Sequence, residues 1–164
     1  MAIPIRRDLS GTTPPSQPLV TAVAPSKQPE AQANLGEVAH AALRIIAGLM
    51  FMQHGMQKLF GAFVDPSRPP MGTPAMFSQL WFAGTLETFG GALIVLGLFT
   101  RPVAFVLAGE MAVAYFQMHF PRSFWPILNQ GELAVLYCWL FVTYAISGAG
   151  RYSLDALWHR SGAE

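Results

Sequence analysis

The sequence predicts an all-α protein: a four-helix transmembrane bundle with a disordered N-terminal tail and a short C-terminal interfacial helix. Three observations carry this expectation. The chain is 52% hydrophobic and only 12% charged, whereas soluble domains are nearer a quarter charged; so little surface charge implies lipid as solvent. Four apolar stretches separated by breakers each approach the roughly 20 helical residues that cross a hydrocarbon core. Finally, Glu87, Glu110 and Glu132 stand inside or at the mouth of three of these stretches, and Arg44, His54 and Lys58 stand in the remaining one.

The elements follow in order. Residues 1–36 are rich in Pro, Ser, Thr, Ala and Gln and hold too little apolar surface to offset the entropy of ordering, so they read as a disordered cytoplasmic tail. No apolar run follows Arg6 and Arg7, so nothing there resembles a signal peptide. Spans are expected over 38–60, 77–99, 102–120 and 131–149, within one domain over 37–160. The Pro/Gly-rich stretch Gly61–Pro74 reads as a loop. Thr100-Arg101-Pro102 reads as a very tight turn, with Pro102 opening the next helix. Residues 121–130 form the third connection. Trp125, Trp81 and Trp158 suit membrane interfaces, while Trp139 falls mid-span and reads as a packing residue. In GAGRYSLDALWHR, Ser153 is a plausible N-cap with Asp155 in the first turn. Leu154, Leu157 and Trp158 share a face, as on an interfacial helix.

Four spans place both termini on one side of the membrane. Lys27, Arg101, Arg151 and Arg160 lie there, against Arg68, Arg122 and Lys58 opposite. Positive residues favour the cytoplasm, so the expected location is a bacterial inner membrane, multi-pass, N-in/C-in. A net charge of +1 with no basic run gives no reason to expect nucleic acid as a partner. Cys138 is the only cysteine, which excludes an internal disulfide, a CxxCH haem attachment and an iron–sulfur cage supplied by one chain.

At 100° per residue, Arg44, Phe51, Gly55 and Lys58 form a stripe on the first helix with His54 at its edge. Gly84, Glu87 and Gly91 share a face of the second helix, with Gly90 alongside; Glu110, Ala114 and Gln117 align on the third. Small residues beside an acidic one let helices approach closely around it. Ionisable groups at bilayer depth are costly and normally pair or face a polar cavity. Two roles fit them: fixing helix register, or building a ligand site. Depth suggests an Arg44–Glu110 partnership in the inner half, with Glu87 near the midplane and His54, Lys58 and Glu132 in the outer half; His54 and Lys58 are available to Glu87 from the first helix. The candidate catalytic residues are Glu87, His54 and Glu110; the candidate ligand-binding residues are Arg44, Lys58, Gln57, Glu132 and His119. Two lone histidines are a poor metal signal, so no metal is expected.

Together these motifs resemble the DoxX family. His54-Gly55-Met56-Gln57-Lys58-Leu59-Phe60-Gly61 is similar to the end of that family's first helix. Glu87-Thr88-Phe89-Gly90-Gly91, continuing to Gly97-Leu98-Phe99-Thr100-Arg101-Pro102, resembles its second helix and turn. Ala114-Tyr115-Phe116, His119-Phe120-Pro121-Arg122 and Asn129-Gln130-Gly131-Glu132-Leu133 with Tyr137 resemble its third and fourth helices, and Gly150-Arg151-Tyr152-Ser153-Leu154-Asp155 its C-terminal signature. The resemblance spans roughly residues 38–158. It implies a four-helix membrane protein, an oxidoreductase or a subunit of one, associated with quinones and with other membrane or redox proteins. The cofactor it implies is a quinone; a homo-oligomer is compatible with it. A buried cation–carboxylate–histidine network suits proton exchange with a quinone head group, but no Gly-rich flavin or dinucleotide fingerprint is present. A non-enzymatic assembly factor or adaptor, and a small proton-coupled transporter, are the alternatives.

Overall fold

The computed structural model describes residues 28–63, 67 and 72–161, and among these residues it is all-helical, with no strand. Helix α1 runs Gln28–Phe60. Helix α2 covers Gln79–Leu96, interrupted by a π-helical turn at Leu86–Gly90. Helix α3 is Thr100–Ala114 and continues into a second π-helical turn, Tyr115–His119. The short α4 is Pro126–Asn129, α5 is Glu132–Ser147, and α6 is Leu154–Ser161. Residues 28–36, expected in the tail, belong to α1, and residues 1–27 lie outside the described residues.

By length and composition, two helices can cross a membrane, Gln32–Phe60 and Gln79–Leu96; Glu132–Ser147 is apolar but shorter. The core lies where α1, α3 and α5 meet, at Phe51, Leu107, Met111, Tyr137, Phe141 and Tyr144, with Ile94 from α2. Phe51 packs edge-on against Phe141, with ring centroids 4.8 Å apart. Around this core the outer faces stay apolar, as at Ile46, Phe105, Leu136 and Trp139. Trp139 is 66% exposed, so it is an outward-facing residue and not the packing residue expected from its mid-span position.

α1 lies along α2, and α3 along α5. The first contact is close enough that side chains would not fit. A Cβ on Gly55 would come within 2.4 Å of the Thr88 amide nitrogen, and one on Gly91 within 2.9 Å of the Gly48 carbonyl oxygen. Glycine therefore sets the helix separation here, as the small-residue face of α2 implied.

The α2–α3 turn forms earlier than expected. It lies at Gly97–Phe99, both left-handed (φ 65° and 49°), so α3 starts at Thr100 with Pro102 already inside it. The reason is a cap from a distant segment. The Asp155 carboxylate accepts hydrogen bonds from the Phe99 amide (2.8 Å) and the Thr100 amide (2.9 Å), satisfying donors that a helix N-terminus leaves free. Ser153 serves as the N-cap of α6, accepting from the Ala156 amide at 3.2 Å.

Candidate ligand cavity

A cavity of about 670 Å³ opens between α1, α2, α3 and α5, a volume within the range of small-molecule sites. Its floor is polar. Lys58 and Glu87 form a direct ion pair, with the carboxylate only 4% exposed. The π-helical turn at Leu86–Gly90 holds Glu87 at this point, and π-bulges of this kind often mark functional positions. His54 also lines the cavity and acts electrostatically on Glu87. Opposite stands Glu110, within electrostatic reach of both Glu87 and Lys58. Both of its carboxylate oxygens are buried and have no hydrogen-bond partner among the described residues. The ammonium thus pairs directly with Glu87, and Glu110 stands near it without a direct partner among the described residues.

The walls are apolar, with Phe82, Leu86, Val106 and Val113 lining the cavity while remaining exposed on the outer faces of α2 and α3. The aperture is consequently lateral, between two helices, and greasy at its edge. At one end of the cavity stand Gln79, His119, Arg122 and Gln130. Gln79 donates to Gln117 there, bridging α2 and α3. His119 is steadied by the end of α4: its Nδ1 lies 3.0 Å from the Asn129 carbonyl oxygen. Asn129 itself is buried and donates to Ser123 O at 2.8 Å.

Of the residues singled out by sequence, Glu87, His54, Glu110, Lys58 and His119 line this one cavity, whereas Arg44, Gln57 and Glu132 do not. Gln57 turns towards the loop after α1, its Nε2 donating to Phe63 O at 3.4 Å. Glu132 opens α5 and is exposed. Arg44, 1% exposed, belongs to a different structure altogether. Its guanidinium donates to the carbonyls of Ile94, Val95 (2.7 Å) and Tyr152 (2.8 Å). The expected Arg44–Glu110 partnership is thus overturned: similar depth did not bring the two groups onto facing sides. The Arg44 guanidinium is held by three carbonyls at the end of α2 and before α6 without a carboxylate, its Nε being left without a partner among the described residues.

Sequence reasoning missed Tyr137, Gln79, Arg122 and Gln130 as lining residues. Tyr137 stacks on Phe141 at 5.9 Å while facing the cavity, so it serves packing and site at once. Gln130 adopts a left-handed φ of 59° in a loop, where no periodicity points to it.

An all-helical membrane protein with an acid-floored cavity open along its side is what these observations define. The chain belongs to the DoxX family, whose model matches residues 39–120. It is similar to an uncharacterised protein of Haemophilus influenzae, 43% identical over 120 residues, covering 70% of this chain and 87% of that protein. It is also similar to an uncharacterised membrane protein of Mycobacterium tuberculosis, 28% identical over 127 residues, covering 69% of this chain and 77% of that protein. No solved structure matches the chain.

Proposed function

We propose that the cavity binds the head group of a membrane-dissolved quinone or quinol and exchanges protons with it. In this reading the protein crosses the inner membrane four times with both termini in the cytoplasm, and a redox partner handles the electrons. The observation that carries the reading is Glu110. A buried carboxylate with neither oxygen hydrogen-bonded is costly unless a donor arrives, and a quinol hydroxyl is such a donor. Lys58, already next to Glu87, offers N–H groups to a ring carbonyl across the same space. When a hydroquinone is oxidised, Glu110 and His54 take up its protons while the partner takes its electrons. The lateral, apolar aperture supports a ligand that arrives from lipid, its tail lying against Phe82, Leu86, Val106 and Val113.

Two experiments test this. A short-chain ubiquinone analogue titrated into the protein in nanodiscs should bind, and Glu110→Gln should weaken binding of the reduced form about tenfold or more, the loss expected for one charge-assisted hydrogen bond. Equal affinity in wild type and variant would refute the role of Glu110. For the topology, reporter fusions after Pro70 and after Trp158 should report opposite sides of the membrane, the latter cytoplasmic.

A further inference from the structure

A second cleft, of about 370 Å³, lies at the opposite end of the molecule from His119, between the α2–α3 turn, the α5–α6 connection and α6. Its chemistry differs from that of the first. Arg101 and His159 line it, both exposed, and Arg101 has no hydrogen bond or ion pair among the described residues. The Arg101 guanidinium lies over the connection at Gly148, where a Cβ would come within 3.2 Å of its Nε. Gly148 holds φ 80° and ψ −168°, a conformation essentially confined to glycine. The backbone therefore runs open beneath the guanidinium.

Two further observations call for an acceptor ligand. The amides of Ala149 and Gly150, in the cleft wall, have no acceptor among the described residues. Thr100, fully buried in the same wall, has a hydroxyl with no hydrogen-bond partner among the described residues. Asp155 also lines the cleft, but both its oxygens are committed to the Phe99 and Thr100 amides. At the helix N-terminus the dipole offsets part of its charge, and the remainder opposes an anion, which Arg101 must outweigh. Beside the cleft, α6 exposes Leu157 and Trp158, and Trp158 packs on Phe99 at 6.1 Å. An amphipathic helix of this kind lies in a membrane interface, the depth at which lipid phosphates sit.

We propose that this cleft is a phosphate-binding site, occupied by the phosphate of an anionic lipid head group or by free phosphate, with Arg101 as its principal ligand. A guanidinium matches two phosphate oxygens at once, and the Ala149 and Gly150 amides supply further donors. The site is separate from the Glu87–Glu110 cavity and does not depend on what that cavity binds.

The test uses the full chain in detergent and in nanodiscs. Thermal unfolding is followed with inorganic phosphate, with phosphatidylglycerol, and with phosphatidylcholine as the zwitterionic control. Stabilisation by phosphatidylglycerol over phosphatidylcholine identifies a lipid head group; equal stabilisation by inorganic phosphate alone identifies the free ion. Arg101→Gln should weaken the stabilising ligand about tenfold. Arg160→Gln removes the same charge from α6 but not from the cleft, and should change affinity less than about twofold. Equal losses in both variants would mean diffuse surface attraction and would overturn the site. So would a wild-type protein stabilised by neither phosphate source. Arg101 is exposed, so the variant should fold, and an unchanged melting temperature without ligand checks this.

Discussion

Arg44 and the carboxylate oxygens of Glu110 are both buried in apolar helices, yet the structure treats them in opposite ways. Arg44 is enclosed and donates to three carbonyls, Ile94, Val95 and Tyr152, tying the end of α2 to the segment that precedes α6. Glu110 is enclosed with both oxygens unpartnered, beside a cavity. The first arrangement is what a structural charge looks like, because three carbonyls within the protein hold its terminal nitrogens and Nε alone is left without a partner among the described residues. The second is incomplete without another molecule. Burial alone does not separate the two roles; hydrogen-bond satisfaction does.

The largest expected effect follows from the satisfied side. Arg44→Leu should lower stability by more than about 3 kcal/mol, since several buried carbonyls lose their donor together. Thermal unfolding in detergent would measure it, and a loss below about 1 kcal/mol would remove Arg44 from the structural class. Next comes the ion pair. Lys58→Met leaves the Glu87 carboxylate buried without its counter-charge and should cost about 2–3 kcal/mol. Adding Glu87→Gln to it should restore most of the loss, because the uncompensated charge is gone. A double variant as unstable as the sum of the singles would deny the coupling. Smallest is Glu110→Gln. No hydrogen bond among the described residues depends on this carboxylate, so stability should change by less than about 1 kcal/mol while binding of the reduced ligand weakens about tenfold or more. A large destabilisation would move Glu110 to Arg44's class and erase the contrast.

Much of the helical layout was legible in the sequence, because apolar length and glycine faces are local signals. Gly55 and Lys58 of the first stripe and the face of Gly84, Glu87 and Gly91 meet at the α1–α2 contact, while Phe51 of that stripe turns to Phe141 in the core. The sequence offered Lys58 and His54 to Glu87 without choosing between them, and the structure pairs Lys58 with it; the depth argument failed for Arg44. What it lacked was the position of the α2 C-terminus, whose carbonyls end at Arg44 because the turn is pulled to Gly97–Phe99 by Asp155. That cap comes from 55 residues away, and no local rule reports it. The π-helical turns at Leu86–Gly90 and Tyr115–His119 were equally hidden. Each inserts a residue into a helix and breaks the 100° spacing, so Gln117 meets Gln79 at the aperture while Glu110 and Ala114 line the cavity. The four-span reading is met by length and composition at two helices; the helix over 100–119 opens with Thr100 and Arg101 and ends at Gln117 and His119, which dilutes its apolar length.

The most direct test of the ligand role assigned to Glu110 is the quinone content of the protein purified from native membranes, measured per polypeptide against the surrounding lipid extract. Wild type should retain quinone well above the lipid background, and Arg101→Gln should retain it equally. Glu110→Gln, folded and equally abundant, should fall to background. Wild-type protein carrying no more quinone than its lipids, or a Glu110→Gln protein carrying as much as wild type, would contradict the account.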